Sequence, residues 1–278
     1  MSSLSELSQH FARLKEISEI MTAMKSLSQV EVSKLSRFIG HQRRMLANIE
    51  AAAADFLSTF PFQAASDAQP KILLLIGSER GFCGNFNDRV HAALEALPTT
   101  EPAPVLLVVG SRLATNLASH PGVIAQLDGA TLTEDVPNVL SRLMDTLHTT
   151  TQQLAGDGVA LLSLAHEAEG EPALKHLLPI APETASSFTH APRLQLPPPE
   201  FFAELLDQYL LATLYGLLYE SLAAENRQRL AHMEHALDRL DETLAHMAIK
   251  RNALRQEKIV EEIEVILSSE IALRQGTH

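Results

Sequence analysis

The residues best placed by type and spacing to do chemistry lie between Ser78 and Asn87, in the run Ser-Glu-Arg-Gly-Phe-Cys-Gly-Asn-Phe-Asn. This run follows a short apolar segment, Lys71–Gly77, that ends in glycine. A glycine-containing loop between a strand and a helix commonly cradles phosphate, because free backbone N–H groups and the helix N-terminus both favour an anion. Here the pattern is neither G-x-x-x-x-G-K-[ST] nor G-x-G-x-x-G, and no lysine stands where a phosphate would need one. The competing reading gives Gly81 and Gly84 to a tight turn and packs Cys83 as a small apolar group. The residues weigh towards the turn. Cys83 is the sole cysteine, so no internal disulfide framework exists, which suits a reducing compartment. It has no histidine close to it in sequence, and no G-x-S-x-G elbow occurs.

The chain has twelve histidines. His232 and His235, three apart with Glu234 between them, share a helix face, but no third ligand stands at a useful spacing. Neither H-E-x-x-H nor paired cysteines appear. The sequence therefore predicts no metal, no cofactor and no enzyme.

The elements that must carry these residues fall into three regions. In the first, 1–68, positions 14, 17, 21, 24, 28, 31, 35, 38, 42, 45, 49, 52 and 56 alternate by three and four, and ten of the thirteen are apolar. Ser28, Glu31 and Gln42 are the exceptions, and Gly40 is the only helix breaker. A frame held over that length predicts a coiled-coil seam. As one helix, residues 14–56 span about 64 Å at roughly 1.5 Å per residue. The second region, 69–197, holds the apolar runs Lys71–Gly77, Val105–Gly110 and Val159–Leu164, with helical stretches at Asn85–Leu97 and Pro137–Leu154. Near-continuous apolar strands alternating with helices predict a small α/β domain with a mainly parallel sheet.

The third region, 198–278, follows Pro197-Pro198-Pro199, a break no helix would carry internally. Only Gly216 interrupts helix-forming residues from Glu200 to Arg274. Leu230, Met233, Leu237, Leu240, Leu244 and Met247 continue the alternation, whereas Arg251 and Lys258 then fall on seam positions. Two terminal helices separated by a compact domain pair only if the chain turns back, so the coiled coil should be antiparallel. The shifted apolar set Ile259, Ile263, Ile266 and Leu273 should lie past the partner helix, with a boundary near Lys250. An apolar tip of that kind needs cover from another protein.

The net charge is −12, which argues against nucleic acid as a bulk partner. Residues 1–45 run the other way, with seven Lys/Arg against four Asp/Glu. The N-terminus is polar and lacks the apolar core of a secretory signal, and no run approaches the roughly 20 apolar residues of a membrane helix. Membrane contact should come only through partners.

The order of helix, α/β domain and longer helix resembles the gamma subunit of F-type ATP synthases. Ile20, Thr22, Ala23, Met24 and Lys25 resemble that family's opening I-T-x-A-M-K. Arg80, Gly81, Cys83, Gly84 and Asn87 resemble its D-R-G-L-C-G-G-L-N, with Glu79 in place of the aspartate and Asn85 in place of the second paired glycine. Leu177-Leu178-Pro179 matches its L-L-P. Leu214-Tyr215, Glu220-Ser221-Leu222-Ala223 and Glu225 match most of L-Y-x-x-x-x-E-S-x-A-S-E, with Ala224 replacing a serine. Asn252, Arg255, Gln256, Ile259, Glu262, Ile266 and Ser268 fall on N-x-x-R-Q-x-x-I-x-x-E-x-x-x-I-x-S, and Ser269-Glu270-Ile271 replaces a small G-A-A. Leu254–Ile259 looks like the divergent gamma subunits of alternate, often sodium-linked, synthases.

The resemblance implies a non-catalytic rotor stalk turning inside a ring of alpha and beta subunits. An epsilon-type subunit and the membrane ring of c subunits would meet the α/β domain, at the cytoplasmic face of a bacterial inner membrane. It implies that Met24, Lys25, Arg255, Gln256 and Glu262 make polar or loop contacts with the ring, and that Ile263, Ile266 and Leu273 sit in an apolar bearing. The residues also leave open a small-ligand-binding α/β protein and a coiled-coil scaffold unrelated to rotation.

Overall fold

The structure is a computed structural model that describes residues 4–60, 70–98, 102–154, 158–167, 170–180 and 193–275. It divides into two units, Met1–Leu27 with Ala231–His278, and Ser28–Leu230.

The larger unit is organised by β1 (Lys71–Ile76), β2 (Val105–Val109), β3 (Val123–Leu127), β4 (Ala160–His166) and β5 (Pro172–Leu178). They form one sheet in the order β3-β2-β1-β4-β5. Every pairing is parallel except β4 with β5. Strand period two splits the apolar run of β1 between two cores. Ile72, Leu74 and Ile76 face α4 (Val136–Gln153) and pack with its Val139, Leu140, Leu143 and Leu147. Leu73 and Leu75 face the opposite way, with Val90 of α2 (Phe86–Glu95) and Leu113 of α3 (Ser111–Asn116). A central strand buried on both faces reads as a solid apolar run for this reason.

The mainly parallel sheet and the two crossover helices agree with the sequence reading. The edge strands β3 and β5 and the six-residue α3 were not legible there. β3 is only half covered, with Ile124 and Gln126 exposed, so its composition carries no buried-strand signal.

The terminal helices α1 (Leu4–Thr59) and α5 (Pro198–Gln275) contribute to both units. In the larger unit they run antiparallel. Arg43 reaches Glu220, Phe38 stacks on Tyr219 with ring centroids 5.4 Å apart, and Phe56 packs between Phe201 and Phe202. Burying a phenylalanine such as Phe56 contributes about 1.5–3 kcal/mol. The buried line of α1 differs in phase from the predicted seam. Ser28, Glu31, Leu35, Ile39, Ala53 and Phe56 are buried, while Phe38 and Met45 are exposed. From Leu35 onward the second seam position thus falls four residues after the first instead of three. A helix packing on a sheet domain follows its own 3.6-residue period instead of a heptad.

By composition α5 is long and apolar enough to cross a membrane, contrary to the hydropathy expectation. Its Leu214, Leu217, Leu218, Leu222 and Ala223 instead join the core formed with α1, α4 and the sheet.

In the smaller unit the helices are again antiparallel. Lys25 pairs with Glu234 at 3.0 Å, and the Arg251 guanidinium lies 4.6 Å from the centre of the Phe11 ring. Seam position 251 is thus held by a cation–π contact instead of marking a parting point. With Phe11 opposite Arg251, the described start of α1 at Leu4 reaches only to the neighbourhood of Lys258. Partial burial on α5 ends at Leu254, and every residue from Arg255 to Ser268 is exposed. The boundary lies four residues beyond Lys250.

Candidate functional site

β1 is the strand at which the sheet order reverses, and the crevice beyond the carboxyl ends of β1 and β4 is where open α/β sheets bind ligands. The turn after β1 enters this crevice. Asn87, in the first turn of α2, closes it: its Oδ1 accepts from Ser78 N–H at 2.9 Å and its Nδ2 donates to Ser78 Oγ at 2.8 Å. The Cys83 thiol donates to the same Ser78 Oγ at 3.3 Å. Burial pushes the Cys83 thiol above its usual range, so it stays a packed thiol beside Phe86 and Ala224 and not a thiolate nucleophile. Gly84 and the exposed Phe82 both adopt left-handed backbone, with φ of 59° and 63°.

Glu79, the position that departs from the family aspartate, ties three strand ends together. Its carboxylate accepts from Ser111 N–H at 2.9 Å, Ser111 Oγ at 2.6 Å and Gly129 N–H at 2.6 Å. Burial works against its charge, but these hydrogen bonds outweigh burial and hold its pKa below the usual value. Beneath it, Gly77 and Gly110 let two loops touch. A Cβ on Gly77 would collide with Leu113, and one on Gly110, whose φ is 108°, would lie 2.6 Å from the Gly77 carbonyl oxygen.

The loop amides that could have cradled a phosphate face a carboxylate of the same chain. The N–H groups of Glu79 and Arg80 turn to Glu225 of α5, which also pairs with Arg229. Arg229 Nε donates to the Gly81 carbonyl at 3.2 Å, and its Nη1 donates to Asn226 Oδ1 at 3.0 Å. Burial drives the Glu225 pKa upward, against Arg229 and the amides, which draw it down. On the β4 side, His166 stacks on Phe86 with centroids 4.0 Å apart and its Nε2 donates to the Phe86 carbonyl at 3.0 Å. The crevice is therefore packed by protein groups, and the turn is clamped to α5. Glu225, Arg229 and His166 escaped sequence reasoning as partners of the turn because they lie 80 or more residues from it; the E-S-x-A-S-E match was the one available signal.

The structure brings the turn residues Arg80, Gly81, Cys83, Gly84 and Asn87 together in this clamp. Met24 and Lys25 belong to the smaller unit and are both half-buried, with Lys25 paired to Glu234. Arg255 and Gln256 are exposed, and Glu262 is 3.9 Å from Lys258. Ile263 and Ile266 are 49% and 63% exposed. The Leu273 side chain lies outside the described residues, as do those of Ser269, Glu270 and Ile271. His232 and His235 are both exposed, and no group of metal-ligating side chains occurs among the described residues.

These features define an α/β domain carried on two long helices, with its ligand crevice used for internal attachment. The family described as ATP synthase matches residues 3–273, and the chain belongs to that family. It is 27% identical to the ATP synthase gamma chain of Bdellovibrio bacteriovorus, covering 99% of this chain and 100% of the relative. It is 26% identical to that of Chlorobaculum parvum, covering 95% and 97%. Among solved structures, it is similar in fold to a chain of the rotor of the Euglena gracilis mitochondrial ATP synthase. The TM-score there is 0.63 at 12% identity, covering 92% of this chain and 98% of that one. A chain from the central stalk and c-ring of the Tetrahymena thermophila enzyme gives 0.55 at 18%, covering 78% and 99%.

Proposed function

We propose that this chain is the gamma-type central stalk of an F-type ATP synthase, without an active site of its own. Residues 1–68 and 198–278 form the shaft and 69–197 the base domain. The observation that carries this reading is the exposed stretch from Arg255 to Ser268, which continues α5 beyond the reach of its antiparallel partner. It leaves Ile259, Val260, Ile263, Val265, Ile266 and Leu267 in water. Such a surface is stable only when another protein encloses it, and a ring of alpha and beta subunits is the enclosure the family supplies.

Met24, Lys25, Arg255, Gln256 and Glu262 would then touch ring loops, and Ile263, Ile266 and Leu273 an apolar bearing. The base domain would meet an epsilon-type subunit and the c-ring, on the cytoplasmic face of a bacterial membrane. An asymmetric shaft that makes different contacts with chemically equal sites sets their affinities apart as it turns, which is coupling by differential binding.

The test is affinity purification of the tagged chain from its own cells. Recovery of alpha- and beta-type subunits is the expected result; a homodimer with no ATPase subunits would favour a scaffold and overturn the rotor. Within a reconstituted complex, Arg255→Ala should lower ATPase activity and ion pumping, and full retention of both would remove Arg255 from the contact set.

A further inference from the structure

Ser28, Glu31 and Gln42 break the apolar seam of α1, and Glu31 does so at a buried position, 5% exposed. A buried carboxylate is costly unless it is paired and hydrogen-bonded, so its place on the buried line needs a reason. Glu31 is fully engaged. Its Oε2 accepts from Thr133 N–H at 2.9 Å and from Thr133 Oγ1 at 2.8 Å, across 102 residues of chain. Its Oε1 accepts from Lys34 at 2.9 Å, and Lys34 in turn donates to Glu134 at 3.1 Å. Thr133 and Glu134 form the 3-10 turn that leads directly into α4, the helix covering one face of the sheet. The carboxylate therefore joins the shaft helix to the base domain at one fixed point within the larger unit.

Around this point the contact between α1 and the base is apolar, through Leu35 and Ile39. Apolar burial is non-directional and resists sliding or rolling of a helix weakly. Charge-assisted hydrogen bonds to a buried carboxylate are directional and fix one register. Registry is also the best-supported reason for keeping a buried ionic group.

We propose that Glu31 is a registration pin: it keys α1 to the 3-10 turn at Thr133 so that rotation of the shaft and of the base domain stays in phase. Glu31 is a positioning residue in this role, and the inference rests on the rotor reading above.

The experiment uses the complete synthase in sealed vesicles, with ATP hydrolysis and ATP-driven ion uptake measured together, by proton- and sodium-sensitive dyes. Glu31→Leu leaves the Thr133 N–H and hydroxyl without their acceptor, so the purified subunit should melt somewhat below the wild-type temperature. In the complex, hydrolysis should stay within about two-fold while ions moved per ATP fall several-fold. Glu31→Gln, which keeps the shape and one acceptor, should fall between. A purely stabilising role predicts the same lower melting temperature but an unchanged ratio of ions to ATP, and that result would overturn the pin. So would a Glu31→Leu enzyme, or a Glu31→Gln enzyme should the leucine variant not fold, that pumps at the wild-type ratio. If the wild-type complex itself shows no ATP-driven uptake with either ion, the rotor reading fails first, independently of Glu31.

Discussion

At the scale of single residues, the clamp between the β1 turn and α5 rests on one buried pair. Removing one partner of such a pair leaves an uncompensated charge, at a cost of about 3–5 kcal/mol. Arg229→Met should therefore lower stability by about that amount in urea titration, since it strands Glu225 and frees the Gly81 carbonyl. Arg229→Met combined with Glu225→Leu should recover a large part of the loss, a coupling that a double-mutant cycle reads directly.

Glu79 gives the pH dependence. Its folded pKa lies below the reference value of 4.5, so its stabilisation is complete above that value and is lost as pH falls through the folded one. Glu31 and Asp135 have the same sign, whereas burial of Glu225 has the opposite one. Glu79→Gln should cost about 1 kcal/mol at neutral pH, with the gap from wild type narrowing as pH falls below 4.5. The turn residues were legible in sequence. Their partners were not, because a carboxylate 140 residues downstream leaves no local trace.

At the scale of elements, α1 was visible from its period, and β1, β2 and β4 from their apolar runs. The half-exposed edge strands were hidden because a sheet edge places no continuous demand on side-chain type. The seam phase was misjudged where α1 packs against the sheet domain as well as α5: Ile39 and Ala53 are buried in place of Phe38 and Ala52. Gly40 sits mid-helix on the exposed side, with open space where a Cβ would stand. It meets no steric need for glycine, so Gly40→Ala should raise stability by roughly 0.5–1 kcal/mol, read as a higher melting temperature with unchanged assembly.

At the scale of the whole chain, two demands shape the sequence. One is a folded unit with its own cores, and the other, on the rotor proposal, is a surface that an assembly would cover. The sequence placed the shifted apolar set from Ile259 past the partner helix, and in the fold 255–268 is exposed. Under the rotor proposal its apolar residues would meet another protein, and one chain's pattern does not say which. Backbone amides from residue 255 to residue 268 should exchange rapidly in the isolated chain, because every residue of that stretch is solvent-exposed. Those of residues 212–226 should exchange slowly. On assembly with ring subunits the first group should become protected; unchanged exchange there would mean that this stretch is not the seat of the contact.

The carboxylate of Glu225 in the crevice of the sheet also bears on what the domain can sense. A stalk in an ATP synthase works amid nucleotide and phosphate at high concentration, and its α/β domain has the strand order of a nucleotide reader. With the Glu79 and Arg80 amides already committed to Glu225 on α5, an anion seeking those two donors would have to displace that carboxylate. The carboxylate thereby takes the place in the crevice where a bound anion would otherwise sit.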